Sequence, residues 1–185
     1  MKHIKDLGVI TQEGIEIKEL KRFPSMEWGD EGGLQAAIFL DGEFMGTLFQ
    51  AGEGGCANFS CPSAVAYQKI AEAGCAFLKR VDKAYGPNTQ YSWLKNKTVK
   101  NMNDDDFEAV VTNIEEEAEI RTQVRKALIQ GYKSVVVIEQ ETQFSYLYYQ
   151  CEGVTSREVE DFLKRKKVQY TDFKIYTSHI LNTRF

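Results

Sequence analysis

Residues 34–50 read Leu-Gln-Ala-Ala-Ile-Phe-Leu-Asp-Gly-Glu-Phe-Met-Gly-Thr-Leu-Phe-Gln. Two apolar segments flank Asp41 and Gly42, a dipeptide that favours a tight turn because both central positions require a positive φ. The stretch therefore predicts a β-hairpin. Upstream, residues 15–20 alternate apolar with charged side chains, as a half-buried strand does. We expect them to complete a three-stranded antiparallel sheet.

A long helix is predicted to follow the hairpin, over residues 64–85. Its apolar residues recur every three or four positions, which places them on one helical face. Ser63 is the expected N-cap, and the Gly-Pro pair at residues 86–87 ends the helix. We expect this apolar face to pack against the hairpin-based sheet.

A second long helix is predicted further along the chain. It should begin with Asp104 or Asp105 as its N-cap and run towards Gln130, with Gly131 as the stop. Acids occupy its first half and bases occur only in its second half, an arrangement that suits the helix dipole.

The C-terminal part of the sequence predicts two strands, a helix and a final strand. The strands are expected at residues 134–139, 144–150 and 173–176. The segment 155–158 has the spacing of a capping box, which predicts a helix from there to about Lys167. The fold is therefore predicted to be α+β: an N-terminal antiparallel sheet on a long helix, a second acidic helix, and a C-terminal ββαβ lobe.

Length and composition indicate a globular protein of one domain or two small lobes. The chain has 185 residues, of which 43% are hydrophobic and 27% are charged. We expect one lobe over residues 1–87, a linker over 88–103 and a second lobe over 104–185. The first residues lack the apolar segment of a signal peptide, and four cysteines without such a leader are typical of reduced thiols. We therefore expect a cytoplasmic protein.

Acidic residues concentrate in one segment, although the net charge of the whole chain is only −4. Residues 101–120 carry eight acids and no base. The helix dipole explains the first acids but not the later ones, since like charges three or four residues apart destabilise a helix. We expect either an acidic face that binds a basic partner or a merely solvated surface. The residues are Asp104, Asp105, Asp106, Glu108, Glu115, Glu116, Glu117 and Glu119.

A nucleic-acid-binding surface is the alternative. Lysines interleave with aromatic residues in the predicted linker, a pattern found in proteins that bind single strands. A second basic cluster ends the last helix, where cations also suit the dipole. The candidate residues are Tyr91, Trp93, Lys95, Lys97, Lys100, Lys164, Arg165, Lys166 and Lys167.

The sequence offers little for catalysis, a metal or a cofactor. It has no metalloprotease, nucleophile-elbow or kinase motif, and its four cysteines lack the paired spacing of a zinc site. The glycines at residues 52–55 do not have the spacing of a phosphate-binding loop. Cys56 could be a nucleophile only with His3 or His179 as its base, so we expect it to pack beneath the hairpin with Phe59. We predict no catalytic residue, metal or cofactor, and an enzyme without a known motif remains a third alternative.

The segment from Phe39 to Phe59 leads from the hairpin into Gly-Glu-Gly-Gly-Cys and a polar-aromatic tail. It resembles a module of small accessory proteins of phages and mobile elements, several of which inhibit bacterial defence systems, including anti-CRISPR proteins. The resemblance covers less than half of the chain. It implies a non-enzymatic inhibitor in the cytoplasm of a bacterial host. Its acidic face would then bind a basic groove of a protein partner such as a nucleic-acid-guided nuclease.

Overall fold

The computed structural model describes residues 6–23, 32–52, 56–85, 97–139, 146–151, 155–166 and 173–185. Within these residues the chain forms two antiparallel sheets and four α-helices, which confirms the predicted α+β class. The chain divides into two compact units. The first unit is Met1–Ala118 with Arg184–Phe185, and the second unit is Glu119–Thr183.

The first sheet has four antiparallel strands in the order β1-β2-β3-β4. They are β1 (Ile15–Arg22), β2 (Gly32–Leu40), β3 (Glu43–Gly52) and β4 (Asn58–Ser60). The predicted hairpin is confirmed, since Asp41 and Gly42 connect β2 to β3 with φ values of 48° and 85°. β4 is an addition to the three predicted strands, because three residues are too few to show an alternating pattern.

Gly46 lets β4 approach β3 closely. Its φ is 158°, and a Cβ atom here would lie only 2.5 Å from the backbone oxygen of Ser60. A side chain at this position would therefore push the two strands apart. The ladder between β2 and β3 shifts its register beside Gly46, and the shift places Phe44 opposite Phe39.

The two long helices are α1 (Ala64–Tyr85) and α2 (Asp104–Ile129). α1 has the predicted bounds. The Oγ of Ser63 accepts a hydrogen bond from the N–H of Ala66 at 3.1 Å, as the predicted N-cap should.

The predicted N-cap of α2 is wrong, because Asn103 caps the helix and not Asp104 or Asp105. The Oδ1 of Asn103 accepts a hydrogen bond from the N–H of Asp106 at 3.0 Å. In return, the N–H of Asn103 donates to Oδ2 of Asp106 at 2.7 Å. This reciprocal pair joins two residues three positions apart, as in a capping box.

α1 and the first half of α2 cover one face of the first sheet. Ile17, Ile38 and Leu48 extend from the first three strands into this core and are fully buried, as are Ile70 of α1 and Phe107 of α2. Burying one such side chain stabilises the folded state by about 1.5–3 kcal/mol. These contacts therefore hold both helices on the sheet.

The second unit contains a three-stranded antiparallel sheet in the order β6-β5-β7. Its elements are β5 (Ser134–Glu139), β6 (Tyr146–Cys151), α3 (Ser156–Lys166), β7 (Phe173–Tyr176) and α4 (Ser178–Leu181). The predicted ββαβ order is confirmed. The short helix α4 was not predicted, because four residues carry no helical periodicity.

α3 begins with the predicted capping box. The N–H of Thr155 donates to Oε2 of Glu158 at 3.0 Å, and Oγ1 of Thr155 accepts from the N–H of Glu158 at 3.3 Å. The predicted end at Lys167 lies outside the described residues.

β5 is buried on both of its faces. Val135 and Val137 belong to a core shared with the second half of α2. Val136 and Ile138 belong to a core shared with α3. A strand covered on both sides can be apolar at every position, which explains the unbroken Val-Val-Val-Ile run.

The boundary between the units lies inside α2, between Ala118 and Glu119. The first half of this helix supplies core residues to the first sheet, and the second half supplies them to the second sheet. The predicted linker over residues 88–103 is described only from Lys97 onward. Met102 in this segment is buried in the first core, so residues 97–103 pack as part of the first unit.

Candidate functional site

Two of the eight acids predicted to form an acidic face are buried. Asp106 is only 1% exposed, and its Oδ2 accepts hydrogen bonds from Nζ of Lys97 at 2.8 Å and from the N–H of Asn103. Glu117 is buried as well. Asp106 thus holds the start of α2 to the segment before it, and neither carboxylate is presented to a partner.

The other six acids keep contact with solvent. Glu115 forms an ion pair with the guanidinium of Arg22, whose Nε lies 3.1 Å from Oε2. Asp105 accepts a hydrogen bond at Oδ1 from the N–H of Ala57 at 3.3 Å. The half-buried acids are Asp104, Glu108 and Glu115, and the exposed acids are Asp105, Glu116 and Glu119.

The residues predicted to bind nucleic acid are only partly described. Tyr91, Trp93, Lys95 and Lys167 lie outside the described residues. In the first unit, Lys97 belongs to the ion pair with Asp106, whereas Lys100 is exposed. In the second unit, residues 164–166 are exposed in the last turn of α3, where cations suit the dipole.

The structure reveals a surface that the sequence analysis missed, the face of the first sheet opposite α1 and α2. The hairpin sequence already contained a signal for this face, because apolar residues occupy both alternating sets of positions along its strands. Successive side chains of a strand point to opposite faces, so one of the two sets had to point away from the helices. Phe44 and Phe49 on this face are 44% and 46% exposed. The open sheet face consists of Glu16, Lys18, Lys21, Phe23, Gln35, Ala37, Phe39, Phe44, Thr47, Phe49, Asn58 and Ser60.

Four phenylalanines form two edge-on pairs on the open sheet face. The ring centroids of Phe39 and Phe44 are 5.5 Å apart, and those of Phe23 and Phe49 are 6.2 Å apart. Four positions of β2 separate the two pairs, which corresponds to about 13 Å along the strand. Two aromatic contacts of this kind can engage one partner surface at the same time.

The charged residues of the open sheet face come from β1. The Nζ of Lys18 lies 3.2 Å from Oε2 of Glu16 and 4.6 Å from the ring centroid of Phe39. Lys21 lies opposite Gln35 in the register of the two strands. With one acid and two bases, the face carries little net charge.

Cys56 is exposed, so the expectation that it packs beneath the hairpin is wrong. The alternation of residues 56–60 gives the reason. Ala57 and Phe59 face the core and are buried, whereas the even-numbered residues, Cys56 included, are exposed.

The other residues considered for catalysis or metal binding are cysteines, histidines and the glycines of residues 52–55. Cys75 is buried in α1, and the S–H of Cys61 donates to the backbone oxygen of Met45 at 3.0 Å. His179 lies in α4 of the second unit, whereas His3 and the glycines at 53–55 lie outside the described residues. In the part of the chain that the structure describes, no group of three or more His, Cys, Asp or Glu residues could hold a metal ion.

Glu13, in the turn before β1, forms a bidentate ion pair with Arg80 of α1. The Nε of Arg80 lies 2.8 Å from Oε1, and a terminal nitrogen lies 2.9 Å from Oε2. Burial raises the pKa of Glu13, but the hydrogen bonds from Arg80, a backbone hydrogen bond of Glu13, the charge of Arg80 and a hydrogen bond from Thr11 together lower it by more. The pKa therefore lies below its ordinary value.

Tyr67 of α1 connects that helix to the start of α2. Its hydroxyl donates to the backbone oxygen of Met102 at 3.1 Å. Burial raises the pKa of Tyr67, and the carboxylates of Asp104 and Asp106 raise it further. The side chain of Tyr67 therefore stays protonated. Only this protonated form can donate the hydrogen bond to Met102.

Comparisons with protein-family models, with curated proteins and with solved structures find no match for the chain. None of the described helices is both long and apolar enough to cross a membrane. The function is therefore argued from the surfaces of the described residues.

Glu13→Gln should lower the free energy of unfolding at pH 7 by about 1–2 kcal/mol, because it removes a charge-assisted pair with Arg80. The folded pKa of Glu13 lies below the unfolded value of about 4.3, so the stabilisation is present above that pH and disappears as the pH falls through the folded pKa. Urea denaturation at pH 7 and at pH 3 gives the free energy of unfolding of the wild type and of the variant. If the free energies of unfolding of the two proteins differ by as much at pH 3 as at pH 7, the stabilisation does not come from ionised Glu13.

Iodoacetamide should alkylate Cys56 in the native protein and leave Cys75 unmodified until the protein unfolds. The reason is exposure alone, since Cys56 is exposed and Cys75 lies in the core. Peptide mapping by mass spectrometry, before and after addition of urea, locates the label. Protection of Cys56 in the native protein would show that residues 56–60 have the opposite alternation.

Proposed function

We propose that this is a non-enzymatic binding protein that inhibits a macromolecular partner by occupying its surface, and that the open sheet face is the contact surface. The observation that carries the proposal is the pair of aromatic contacts around Phe44 and Phe49, both nearly half-exposed. Exposed aromatic patches of this kind mark interaction sites. They lower the solubility of the free protein, and their burial stabilises a complex only when a partner covers them.

A protein partner fits the open sheet face better than a nucleic acid does. Proteins that bind single strands combine aromatic platforms with a positively charged groove. On this face Glu16 matches Lys18 at 3.2 Å, and the whole chain has a net charge of −4. Aromatic residues surrounded by polar ones, here Gln35, Asn58 and their neighbours, are typical of the centre of a protein interface.

The acidic surface of α2 supports a second, more specific candidate. Asp105, Glu116 and Glu119 are exposed on a helix whose first sixteen residues contain no base. Such a surface suits the basic groove of a nucleic-acid-guided nuclease, the kind of partner that the resemblance to phage and mobile-element inhibitors implies. The protein would then act in the cytoplasm of a bacterial host. The first half of α2 packs on the other side of the first sheet, so Asp105 and Glu116 are not part of the open sheet face.

Replacing both Phe44 and Phe49 by serine should reduce recovery of a protein partner at least about tenfold, because exposed aromatic anchors carry a large share of interface energy. The fold should persist, since both rings lie outside the core. Immobilised wild-type and variant proteins are incubated with bacterial lysate, and bound proteins are quantified by mass spectrometry. The control is Val65→Ser on α1, which removes a side chain that is 67% exposed but not on the open sheet face.

Equal recovery by the double variant, the control and the wild type would remove the open sheet face from the proposal. Recovery of nucleic acid, lost after nuclease treatment and after the two serine substitutions, would assign the same face to the nucleic-acid alternative.

Reversing the charge of Glu116 and Glu119 to lysine should slow association with a basic partner about tenfold at low salt and remove most of its salt dependence. Glu115 and Glu117 are left unchanged, because one pairs with Arg22 and the other is buried. Surface plasmon resonance on the captured partner, at several salt concentrations, gives the rates. Asp161→Lys on the exposed surface of α3 is the matched control, and an unchanged rate in the α2 variant would exclude the acidic surface.

A further inference from the structure

The last two residues of the sequence return to the first unit, after residues 119–183 have formed the second unit. There, Phe185 pairs with the backbone ahead of β1. Its N–H donates to the oxygen of Ile10 at 3.0 Å, and its backbone oxygen accepts from the N–H of Gln12 at 2.7 Å. Both backbone groups of Phe185 are thus paired with the segment ahead of β1, as those of an extended peptide are when it binds alongside another backbone segment.

The side chains around Phe185 recognise more than its backbone. A terminal nitrogen of Arg80 donates to the backbone oxygen of Phe185 at 2.9 Å. The ring of Phe185 packs edge-on against the fully buried ring of Phe77, with centroids 6.1 Å apart. Glu13 holds Arg80 in place through the bidentate pair, so the donor is oriented before the segment arrives.

The preceding residue adds a charge preference. A terminal nitrogen of Arg184 lies 3.4 Å from Oδ1 of Asp41 in the β2–β3 turn, where both side chains are more than half exposed. This contact is weak in water, so it gives only a small preference for a basic residue before the aromatic one. The site thus distinguishes a basic residue, an aromatic ring, and the backbone groups of that aromatic residue.

We propose that Ile10, Gln12, Phe77, Arg80 and Asp41 form a docking site for an extended peptide segment with a basic residue followed by an aromatic residue. Arg184–Phe185 is the internal occupant of this site and acts as a releasable clasp. A partner segment of the same chemistry competes for the site when the clasp is open.

Arg184–Phe185 competes with free peptides for the site, and it does so efficiently because it belongs to the same chain. Tethering makes the binding of Arg184–Phe185 an intramolecular event, which a free peptide has to outcompete. A free peptide should therefore bind well only when the internal segment is removed.

Deleting residues 184 and 185 from the full chain tests the proposal. The probe is the tetrapeptide Asn-Thr-Arg-Phe, which matches residues 182–185, and its binding is followed by NMR chemical-shift changes in the protein. We expect saturable binding to the deletion variant and at least tenfold weaker binding to the intact chain. A tetrapeptide with the Phe185→Ala change should lose most of its affinity. Arg80→Met in the deletion background should weaken binding of the original peptide.

Two results would overturn the proposal: absence of saturable binding to the folded deletion variant, or equal binding to the intact and deleted chains. If the deletion variant does not fold, the full-length variant Arg184→Gly with Phe185→Gly takes its place, because it keeps the chain length and removes both recognised side chains. Failure of the tetrapeptide to bind that variant overturns the proposal equally. These outcomes are independent of the open sheet face, whose serine variants leave the clasp unchanged.

Discussion

The contact between Phe59 of β4 and Phe107 of α2 organises the first unit. Their ring centroids are 4.3 Å apart, and Tyr67 of α1 packs against both rings at 6.3 Å and 5.8 Å. One aromatic cluster therefore joins the last strand of the sheet to both long helices. Because both helices are held on this side of the sheet, its other side is left uncovered by them and forms the open sheet face.

Much of the fold could be predicted because its signals are local. Asp41 and Gly42 fix the hairpin through their own φ values, Ser63 caps α1, and Thr155 with Glu158 begins α3. The elements that were missed, β4 and α4, are too short to show a period. β4 exists because Gly46 leaves room for it, which is a tertiary condition and not a property of three residues.

The candidate site was harder to predict because a charged side chain that is buried contacts its own protein and is not presented to a partner. Eight acids in sequence resemble one uniform face, yet Asp106 accepts a hydrogen bond from the N–H of Asn103, the N-cap of α2, and pairs with Lys97, and Glu117 is buried. The Lys97 partner was itself assigned to a nucleic-acid surface. Local sequence shows the sign of each charge, whereas the distance between Lys97 and Asp106 depends on how the chain enters α2. The exposed acids are accordingly fewer than the sequence suggests.

Stability of the sheet does not by itself explain the aromatic residues of the open sheet face. A cross-strand aromatic pair contributes about 0.2–1 kcal/mol, but β-branched or polar residues such as Thr47 also suit a solvated strand at no cost in solubility. Phe39 and Phe44 sit opposite one another at the register shift beside Gly46, on the solvent side of the sheet. The apolar residues that point towards the helices thus follow from the need for a core, whereas those on the open sheet face do not, and they are the basis of the proposed contact surface.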